Sequence, residues 1–173
     1  DGAAPLYSQR VGFLFRPEQI PPATPPADFD AFWDETLAAL DTTPLDMTLE
    51  HQPDKETKAG WTYKVKYRSW DGRWAWAWLT VPKAEGTFPA RIVCPAVSAW
   101  QPGRAPTANG ELCIYVAVHG GDIKDYPAKS DFDYMNTGIT AREGYMLRYS
   151  YCCLARCFDI VKNHEKCNGE INV

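Results

Sequence analysis

The residues of this chain that could attack a carbonyl group are its serines and cysteines, and the residues that could activate them are its histidines. No serine lies in a Gly-x-Ser-x-Gly sequence, the sharp strand-to-helix turn that exposes a nucleophile. His51 and His164 have polar neighbours typical of a protein surface, and Ser150 lies in a predicted helix. The sequence therefore predicts that residues 1–173 contain no complete catalytic triad. The serines considered are Ser8, Ser69, Ser98, Ser130 and Ser150, and the histidines are His51, His119 and His164.

The cysteines offer a second type of nucleophile. A reactive Cys152 or Cys153 would need a neighbouring base and a partly exposed thiolate. Both lie on an apolar face of a predicted helix, which favours burial. Cys94 and Cys113 lie in apolar, strand-like runs and are expected to be buried thiols. The cysteines show no Cys-x-x-Cys pair and no zinc-type spacing, so we expect no structural metal site.

Composition and charge exclude several classes of protein. With 45% hydrophobic residues, 23% charged residues and seven tryptophans, the chain has the composition of a folded globular domain. Its net charge of −4 argues against a nucleic-acid-binding protein, which would present a basic face. No apolar run approaches the roughly 20 residues that span a bilayer, so we do not expect this chain to be an integral membrane protein.

Two features bear on the compartment. Residues 1–5, Asp-Gly-Ala-Ala-Pro, are compatible with a mature end left after removal of a signal peptide. Cys157 and Cys167 flank the end of a predicted helix and could form a disulfide in an oxidising compartment. We therefore expect a secreted or periplasmic protein.

The hydrophobic pattern divides the chain into a proline-rich segment and one domain. Residues 1–26 are predicted to be extended on a surface, and residues 27–173 to form the domain. Two alternating runs around Asp71-Gly72 predict a hairpin, and two later runs, apolar on both faces, are typical of parallel strands. The predicted elements are a helix at 29–40, strands at 61–70, 73–81, 91–97 and 112–118, a helix from Arg142 to the region of 162–164, and a strand beginning at Glu170.

Trp74, Trp76 and Trp78 alternate along the second hairpin strand and should project from one face of it. One interpretation is a platform that stacks sugar rings. The other, which we favour, is packing against Phe32 and Trp33 of the first helix or against a neighbouring subunit.

Three stretches resemble the acetyl xylan esterase and cephalosporin-C deacetylase family. Residues 26–33, Pro-Ala-Asp-Phe-Asp-Ala-Phe-Trp, resemble its proline-led helix, and residues 69–83, with Ser-Trp-Asp-Gly-Arg and Trp-Leu-Thr-Val-Pro-Lys, resemble its first hairpin. Residues 149–173 resemble its run into the serine turn, and the likeness covers most of 26–173. The resemblance implies an α/β fold: an incomplete α/β-hydrolase sheet, with an antiparallel entry hairpin, then parallel strands and flanking helices, ending at the strand before the nucleophile elbow.

The resemblance also suggests site residues. Where the family has a His-Gly-Tyr-type loop after the third strand, residues 94–98 are Cys-Pro-Ala-Val-Ser, so the backbone N–H of Val97 would be the oxyanion donor. Trp100 in that loop and His119 after the fourth strand would lie at the rim of the substrate pocket. The family's Arg-Gly-Gln-Gly-type turn is replaced by His-Gly-Gly-Asp at 119–122, so its Arg and Gln roles do not carry over.

His119-Gly120-Gly121 is open to other interpretations. Lipases and esterases use a His-Gly-Gly loop after the third strand as an oxyanion hole. No further apolar strand lies between residues 122 and 138, so 112–118 is better taken as the fourth strand. A direct catalytic role for His119 and a metal site with Asp122 and Asp125 stay open beside the simpler role of a tight turn.

The function implied by the resemblance is a serine carboxylesterase that removes acetyl groups from carbohydrate esters, with its triad outside these residues. The expected partners are an acetylated carbohydrate, the C-terminal half of the same hydrolase and, in a homo-oligomer, further copies; no cofactor, nucleic acid or membrane is expected. One alternative is a non-catalytic carbohydrate-binding module that uses the Trp74, Trp76 and Trp78 face. Another is a different α/β-hydrolase, such as a peptidase or a dienelactone-hydrolase-like enzyme.

Overall fold

The computed structural model describes Gly12 and residues 15–19, 21–95, 110–118, 121–123 and 136–173. Three short 3-10 turns accompany the main elements, at Pro17–Gln19, Pro53–Lys55 and Trp70–Gly72. The helices and strands are, in chain order, α1 (Phe29–Asp41), β1 (Thr48–His51), β2 (Gly60–Arg68), β3 (Trp74–Pro82), β4 (Phe88–Val93), β5 (Leu112–Ala117), α2 (Met146–Lys162) and β6 (Cys167–Asn172).

The strands form a mixed six-stranded sheet in the order β1-β2-β3-β5-β4-β6. The pairs β1/β2, β2/β3 and β3/β5 are antiparallel, whereas β4 is parallel to both β5 and β6. The predicted antiparallel hairpin followed by parallel strands is confirmed. Strand β1 was not expected, because all four of its residues are exposed and it carries no alternating apolar signal.

The hairpin between β2 and β3 turns at the predicted dipeptide. Asp71 and Gly72 both have positive φ, 56° and 65°, the conformation that Asp-Gly sequences favour in tight hairpins. The Arg68 guanidinium donates to the Gly72 carbonyl at 2.7 Å, and the Ser69 N–H donates to the Arg73 carbonyl at 2.8 Å. The turn is therefore stabilised both by the backbone conformation of Asp71-Gly72 and by the hydrogen bond from the Arg68 side chain.

Helix α2 covers one face of the sheet and carries the main core. Its buried residues pack against Val65, Tyr67, Ala77 and Leu79 of the hairpin and against the apolar residues of β4 and β5. The Tyr67 hydroxyl, fully buried, donates to the Cys153 carbonyl at 3.3 Å and contacts the Cys157 thiol at the same distance. Burial without such partners would be costly, so this hydroxyl fixes how α2 sits on β2.

Two arginines of α2 hold α1 in place. The Arg148 guanidinium donates through Nε and Nη2 to the buried Thr36 hydroxyl, at 3.0 and 2.8 Å, and lies between the rings of Phe32 and Trp70. Arg156 is almost completely buried and donates to the carbonyls of Leu40 and Thr43 at the end of α1. Free carbonyls at a helix C-terminus favour a cation, so Arg156 acts as a cap supplied by the other helix.

Several boundaries and faces differ from the sequence predictions. Strand β4 ends at Val93 rather than at residue 97, and α2 begins at Met146 after a turn that includes Gly138 and Gly144. Leu40 is buried as predicted, but Phe29 and Leu37 of the same stripe are exposed, as is Phe158 of α2. The spacing of apolar residues identifies the face of a helix that packs against the protein. It does not show how much of that face the neighbouring element covers.

The predicted disulfide and the predicted burial of one cysteine are also corrected. All six cysteines are free thiols, and Cys157 contacts Tyr67 rather than Cys167. Cys113 is buried as expected, whereas Cys94 is exposed because β4 has already ended when the chain reaches it.

The three alternating tryptophans lie on the face of the sheet opposite α2, as the register of β3 requires. The prediction that these tryptophans pack against Phe32 and Trp33 is therefore wrong, because α1 lies on the same side of the sheet as α2. There the rings of Phe32 and Trp33 contact Phe29, Tyr151 and arginine side chains. Trp78 is 1% exposed and packs with Ala117 and Ile123, whereas Trp74 and Trp76 are half-buried.

Replacing Tyr67 by phenylalanine tests the buried hydroxyl. Tyr67→Phe leaves the Cys153 carbonyl without this donor, so we expect the free energy of unfolding to fall by about 1 kcal/mol. Urea-induced unfolding measures the change, with Tyr151→Phe as control because that side chain is exposed. Equal stability losses in the two variants would contradict this role of the Tyr67 hydroxyl.

Candidate active-site edge

The carboxyl ends of the three parallel strands meet at one edge of the sheet. Because β4 is parallel to both β5 and β6, the ends at Val93, Ala117 and Asn172 all point to this edge, which we call the carboxyl edge. Open α/β sheets place their ligands outside the carboxyl ends of the strands. The edge is therefore the candidate site.

The first turn of α2 is tied to the carboxyl edge. The chain leaves β5 at this edge and enters β6 at the opposite one, so α2 must begin here. The hydroxyl of Ser150, which is buried, lies 2.8 Å from the carbonyl of Val118, its closest acceptor. Ser150 is thus an anchor between α2 and the end of β5 rather than an exposed nucleophile.

A close backbone contact shapes the approach to α2. Gly138 has φ of 74°, and a Cβ atom placed on it would lie 2.0 Å from the carbonyl oxygen of Gly144. The Met146 N–H then donates to the Thr137 carbonyl at 3.0 Å, which closes this turn onto the start of the helix. A glycine is required at 138 for both its backbone conformation and its lack of a side chain.

Beyond β5, Asp122 and Ile123 lie on the tryptophan face. Gly121 has φ of 73°, as expected for a residue in a tight turn. Asp122 forms an ion pair with Lys64 of β2 at 2.7 Å, and Ile123 is buried against Trp78. These contacts were not found from the sequence, because no local pattern links residue 64 to residue 122.

The three predicted site residues, Val97, Trp100 and His119, lie outside the described residues, as does Asp125. The structure describes the chain on both sides of them: β4 ends at Val93, β5 ends at Ala117, and the chain is described again from Gly121. The carboxylate of Asp122, suggested as a metal ligand beside His119, is engaged by Lys64.

Comparison with known proteins decides the family. The family model for acetyl xylan esterase matches residues 17–171. The chain belongs to the acetyl xylan esterase family. It is 24% identical over 180 residues to the acetyl esterase Axe7A of Xylanibacter ruminicola, and the match covers 95% of this chain and 41% of that protein.

Solved structures of the acetyl xylan esterase family share the fold. The acetyl xylan esterase of Paenibacillus sp. R4 matches with a TM-score of 0.71 and 23% identity, over 88% of this chain and 53% of that one. Acetyl xylan esterase 1 of Thermoanaerobacterium sp. JW/SL YS485 matches with a TM-score of 0.68 and 17% identity, over 83% of this chain and 48% of that one. The sheet is that of an α/β-hydrolase, and the chain spans about half the length of these solved relatives.

The two described histidines lie away from the carboxyl edge of the sheet. His51 is exposed and pairs with Glu56, whose other oxygen lies 2.6 Å from the Lys83 ammonium just beyond the end of β3. Since β3 is antiparallel to β5, that end of β3 lies near the start of β5. His164 follows the end of α2, at the opposite end of the helix from Ser150. Neither histidine is placed to activate Ser150.

His164 is less exposed than its polar neighbours suggested. Its Nδ1 accepts the N–H of Lys166 at 3.1 Å, and burial lowers the pKa of the imidazole below its ordinary value. The neutral ring that results suits a structural position at the turn between α2 and β6.

The thiols of α2 are not nucleophiles. Burial raises the pKa of Cys152 to about 11 and that of Cys153 to about 12, and it raises the pKa of Cys157 still further. A thiol in that state holds its proton at neutral pH and lacks the reactive thiolate. The alternative of a nucleophilic Cys152 or Cys153 is therefore unsupported.

A cavity lies apart from the carboxyl edge. An open apolar cavity of about 360 Å³ lies between α1 and α2, lined by Phe29, Trp33, Leu37, Tyr151 and Cys152. Among the described residues, no three His, Cys, Asp or Glu side chains group in a way that could hold a metal ion. No described helix is both long and apolar enough to cross a membrane.

Substitution of Gly138 tests the turn before α2. Gly138→Ala forces a Cβ into the Gly144 carbonyl at a positive φ, so we expect a loss of at least about 1 kcal/mol of unfolding free energy. Thermal or urea unfolding measures it. Gly144→Ala is the matched control, since a Cβ there meets no atom within 4 Å. A stable Gly138→Ala variant would disprove the requirement for glycine at this position.

Thiol labelling tests the exposure pattern. Cys94 is exposed just beyond the end of β4, although partial burial raises the pKa of its thiol, whereas Cys152, Cys153 and Cys157 are buried, and burial raises the pKa of each of them. At pH 8 we expect iodoacetamide to modify Cys94 in the native protein and these three only after denaturation. Peptide mass spectrometry identifies the sites, and a Cys94→Ser variant shows the background. Rapid native labelling of Cys153 would contradict the packing of α2.

Proposed function

We propose that this chain forms the N-terminal part of the catalytic domain of a serine carboxylesterase that removes acetyl groups from carbohydrate esters. The observation that carries the proposal is the sheet order β2-β3-β5-β4-β6, with the last strand parallel to β4 and directed at the carboxyl edge. In α/β-hydrolases a strand in this position leads into the nucleophile elbow. The family match and the similarity to Axe7A support the acetyl ester as substrate.

The chemistry would be acyl transfer at the carboxyl edge. A serine hydroxyl attacks the acetyl carbonyl, while a histidine held by an acidic residue takes the proton and returns it to the leaving sugar oxygen. Water then hydrolyses the acetyl-enzyme and releases acetate. Backbone N–H groups stabilise the oxyanion in both steps, and preorganised donors of this kind account for much of the rate.

In this proposal the present chain supplies the oxyanion side of the site. The Val97 N–H is the oxyanion donor, and Trp100 and His119 line the pocket rim, because the loops that carry them leave β4 and β5 at the carboxyl edge. The triad belongs to the C-terminal half of the domain. A polymeric carbohydrate substrate lies outside the cell, which favours a secreted or periplasmic site of action.

The position of β6 at the end of the described sheet supports a C-terminal partner half. Among the described strands β6 pairs with β4 alone, so its second edge offers backbone N–H and C=O groups to a further strand. Unpaired edges are normally covered or blocked in native proteins. We propose that the C-terminal half of the same hydrolase continues the sheet at this edge.

A carbohydrate-binding module is the weaker alternative. Such a module would need the tryptophan face free for sugar rings, but Trp78 is buried. The Lys66 ammonium lies 4.2 Å from the ring centre of Trp74, and the Arg68 guanidinium carbon lies 3.6 Å from it. The mixed α/β sheet also differs from the all-β architecture of most such modules.

The test of the proposal begins with the codons that follow Val173. We expect them to encode a Gly-x-Ser-x-Gly sequence within about ten residues, since the elbow follows its strand directly. The full encoded protein should then hydrolyse p-nitrophenyl acetate and release acetate from acetylated xylan. Alanine in place of the elbow serine should reduce kcat by at least about 10⁴-fold with the fold retained.

Two results would refute the proposal. One is a continuation after Val173 that lacks the elbow sequence. The other is a folded full-length protein that hydrolyses neither acetate ester, since acetyl transfer is the activity proposed. Hydrolysis of peptides or of dienelactones in its place would favour a different α/β-hydrolase.

A further inference from the structure

Lys64 and Trp78 are neighbours on the tryptophan face. They lie directly opposite each other in the β2/β3 register, and Trp78 is in turn opposite Tyr115 of β5. Side chains paired in this way stand side by side on one face of the sheet. Lys64 therefore presents a cation next to the buried ring of Trp78.

The segment that follows β5 is held by both of these neighbours. Asp122 meets Lys64 at 2.7 Å, and the adjacent Ile123, 2% exposed, packs on Trp78 and Ala117. Two successive residues thus bind two adjacent side chains of the hairpin, one through charge and one through apolar burial. Residues 122 and 123 are therefore attached to the tryptophan face at two points.

The end of β5 is also attached to another element, helix α2. The carbonyl of Val118 accepts the Ser150 hydroxyl from the buried face of α2. Only His119 and Gly120 separate Val118 from Gly121 in the chain. The described residues on both sides of this dipeptide, Val118 and residues 122–123, therefore each contact another element.

We propose that Lys64 is a positioning residue of the esterase, which through its ion pair with Asp122 holds residues 121–123, the described residues that follow β5. It acts on the site from a strand outside the parallel part of the sheet. The role rests on the proposed esterase function, because positioning matters only if acyl transfer occurs at this edge. Small displacements of site loops reduce catalysis even where the fold is unchanged.

The ion pair is suited to a test because it contributes little to overall stability. The Asp122 side chain is 54% exposed and that of Lys64 is 21% exposed, and pairs with this exposure add little net stability. Removing the charge should therefore alter the position of residues 121–123 without unfolding the sheet. Lys64→Met retains most of the stem that lies along the face and removes the ammonium.

The experiment compares variants of the full encoded protein. We expect Lys64→Met and Asp122→Asn each to lower kcat/KM for p-nitrophenyl acetate by about tenfold, with the melting temperature changed by no more than about 2 °C. The charge-exchanged double variant, Lys64→Asp with Asp122→Lys, should recover most of the loss. Lys83→Met is the matched control, since it removes a lysine–carboxylate pair of 2.6 Å at the opposite edge, and it should leave kcat/KM unchanged.

A second measurement does not depend on esterase activity. In Lys64→Met, amide hydrogen exchange at Asp122 and Ile123 should become faster than in the unaltered protein, while exchange in β3 and α2 stays the same. If the unaltered protein lacks esterase activity, the proposed function fails, and the exchange data still show whether Lys64 holds this segment.

Three outcomes would overturn the inference. The first is full activity in both Lys64→Met and Asp122→Asn. The second is a loss of activity that charge exchange does not recover or that Lys83→Met reproduces. The third is unchanged exchange at residues 122–123 in Lys64→Met.

Discussion

The parallel pairing of β4 with both β5 and β6 is the constraint on which the rest of the structure depends. Parallel neighbours must end at the same edge, so this pairing gathers three strand ends and their following segments in one place. It also requires a long connection between β5 and β6, because the chain has to return to the opposite edge before β6 begins. Helix α2 makes that return and provides the layer that buries the sheet.

The two faces of the sheet are buried by different means. On the α2 face, apolar side chains from the hairpin, β4 and β5 form one continuous core, with the Tyr67 hydroxyl satisfied inside it. On the tryptophan face, Trp78, Ala117 and Ile123 form a smaller apolar cluster, and lysine and arginine side chains lie over the ring of Trp74. This division explains why one alternating strand supplies both core residues and anchors for the segment after β5.

Two arginines of α2 attach α1 mainly through its hydroxyl, carbonyl and aromatic groups. Arg148 is shared between a threonine hydroxyl and two aromatic rings, whereas Arg156 donates to carbonyls at the end of α1. A carboxylate oxygen of Asp159 lies 3.7 Å from Nη1 of Arg156. The Nε atom of Arg156 has no hydrogen-bond partner among the described residues. A buried guanidinium that donates to the carbonyls at the end of α1 makes the position of α1 specific, because another placement would remove these acceptors from its buried N–H groups.

Sequence patterns predicted the elements that have local causes. The Asp71-Gly72 turn, the two long helices and the apolar strand at 112–118 each follow from conformational preference or from hydrophobic periodicity, and the structure confirms them. Strand β1 was missed because its residues are exposed, and the extent of β4 was misjudged because apolar residues continue past its last pairing at Val93. The family followed from short matches in the first helix, the hairpin and the end of the chain, and the family model confirmed it.

What the sequence determined by itself was therefore the list of elements, their order along the chain and the family to which they belong. Only the tertiary structure decided that β5 lies between β3 and β4, that α1 packs on α2 rather than on the tryptophans, and that Lys64 reaches Asp122. These features join residues tens of positions apart, and they arise when several elements bury their surfaces together. No local pattern carries that information, because the energy of each such contact depends on all the others being in place.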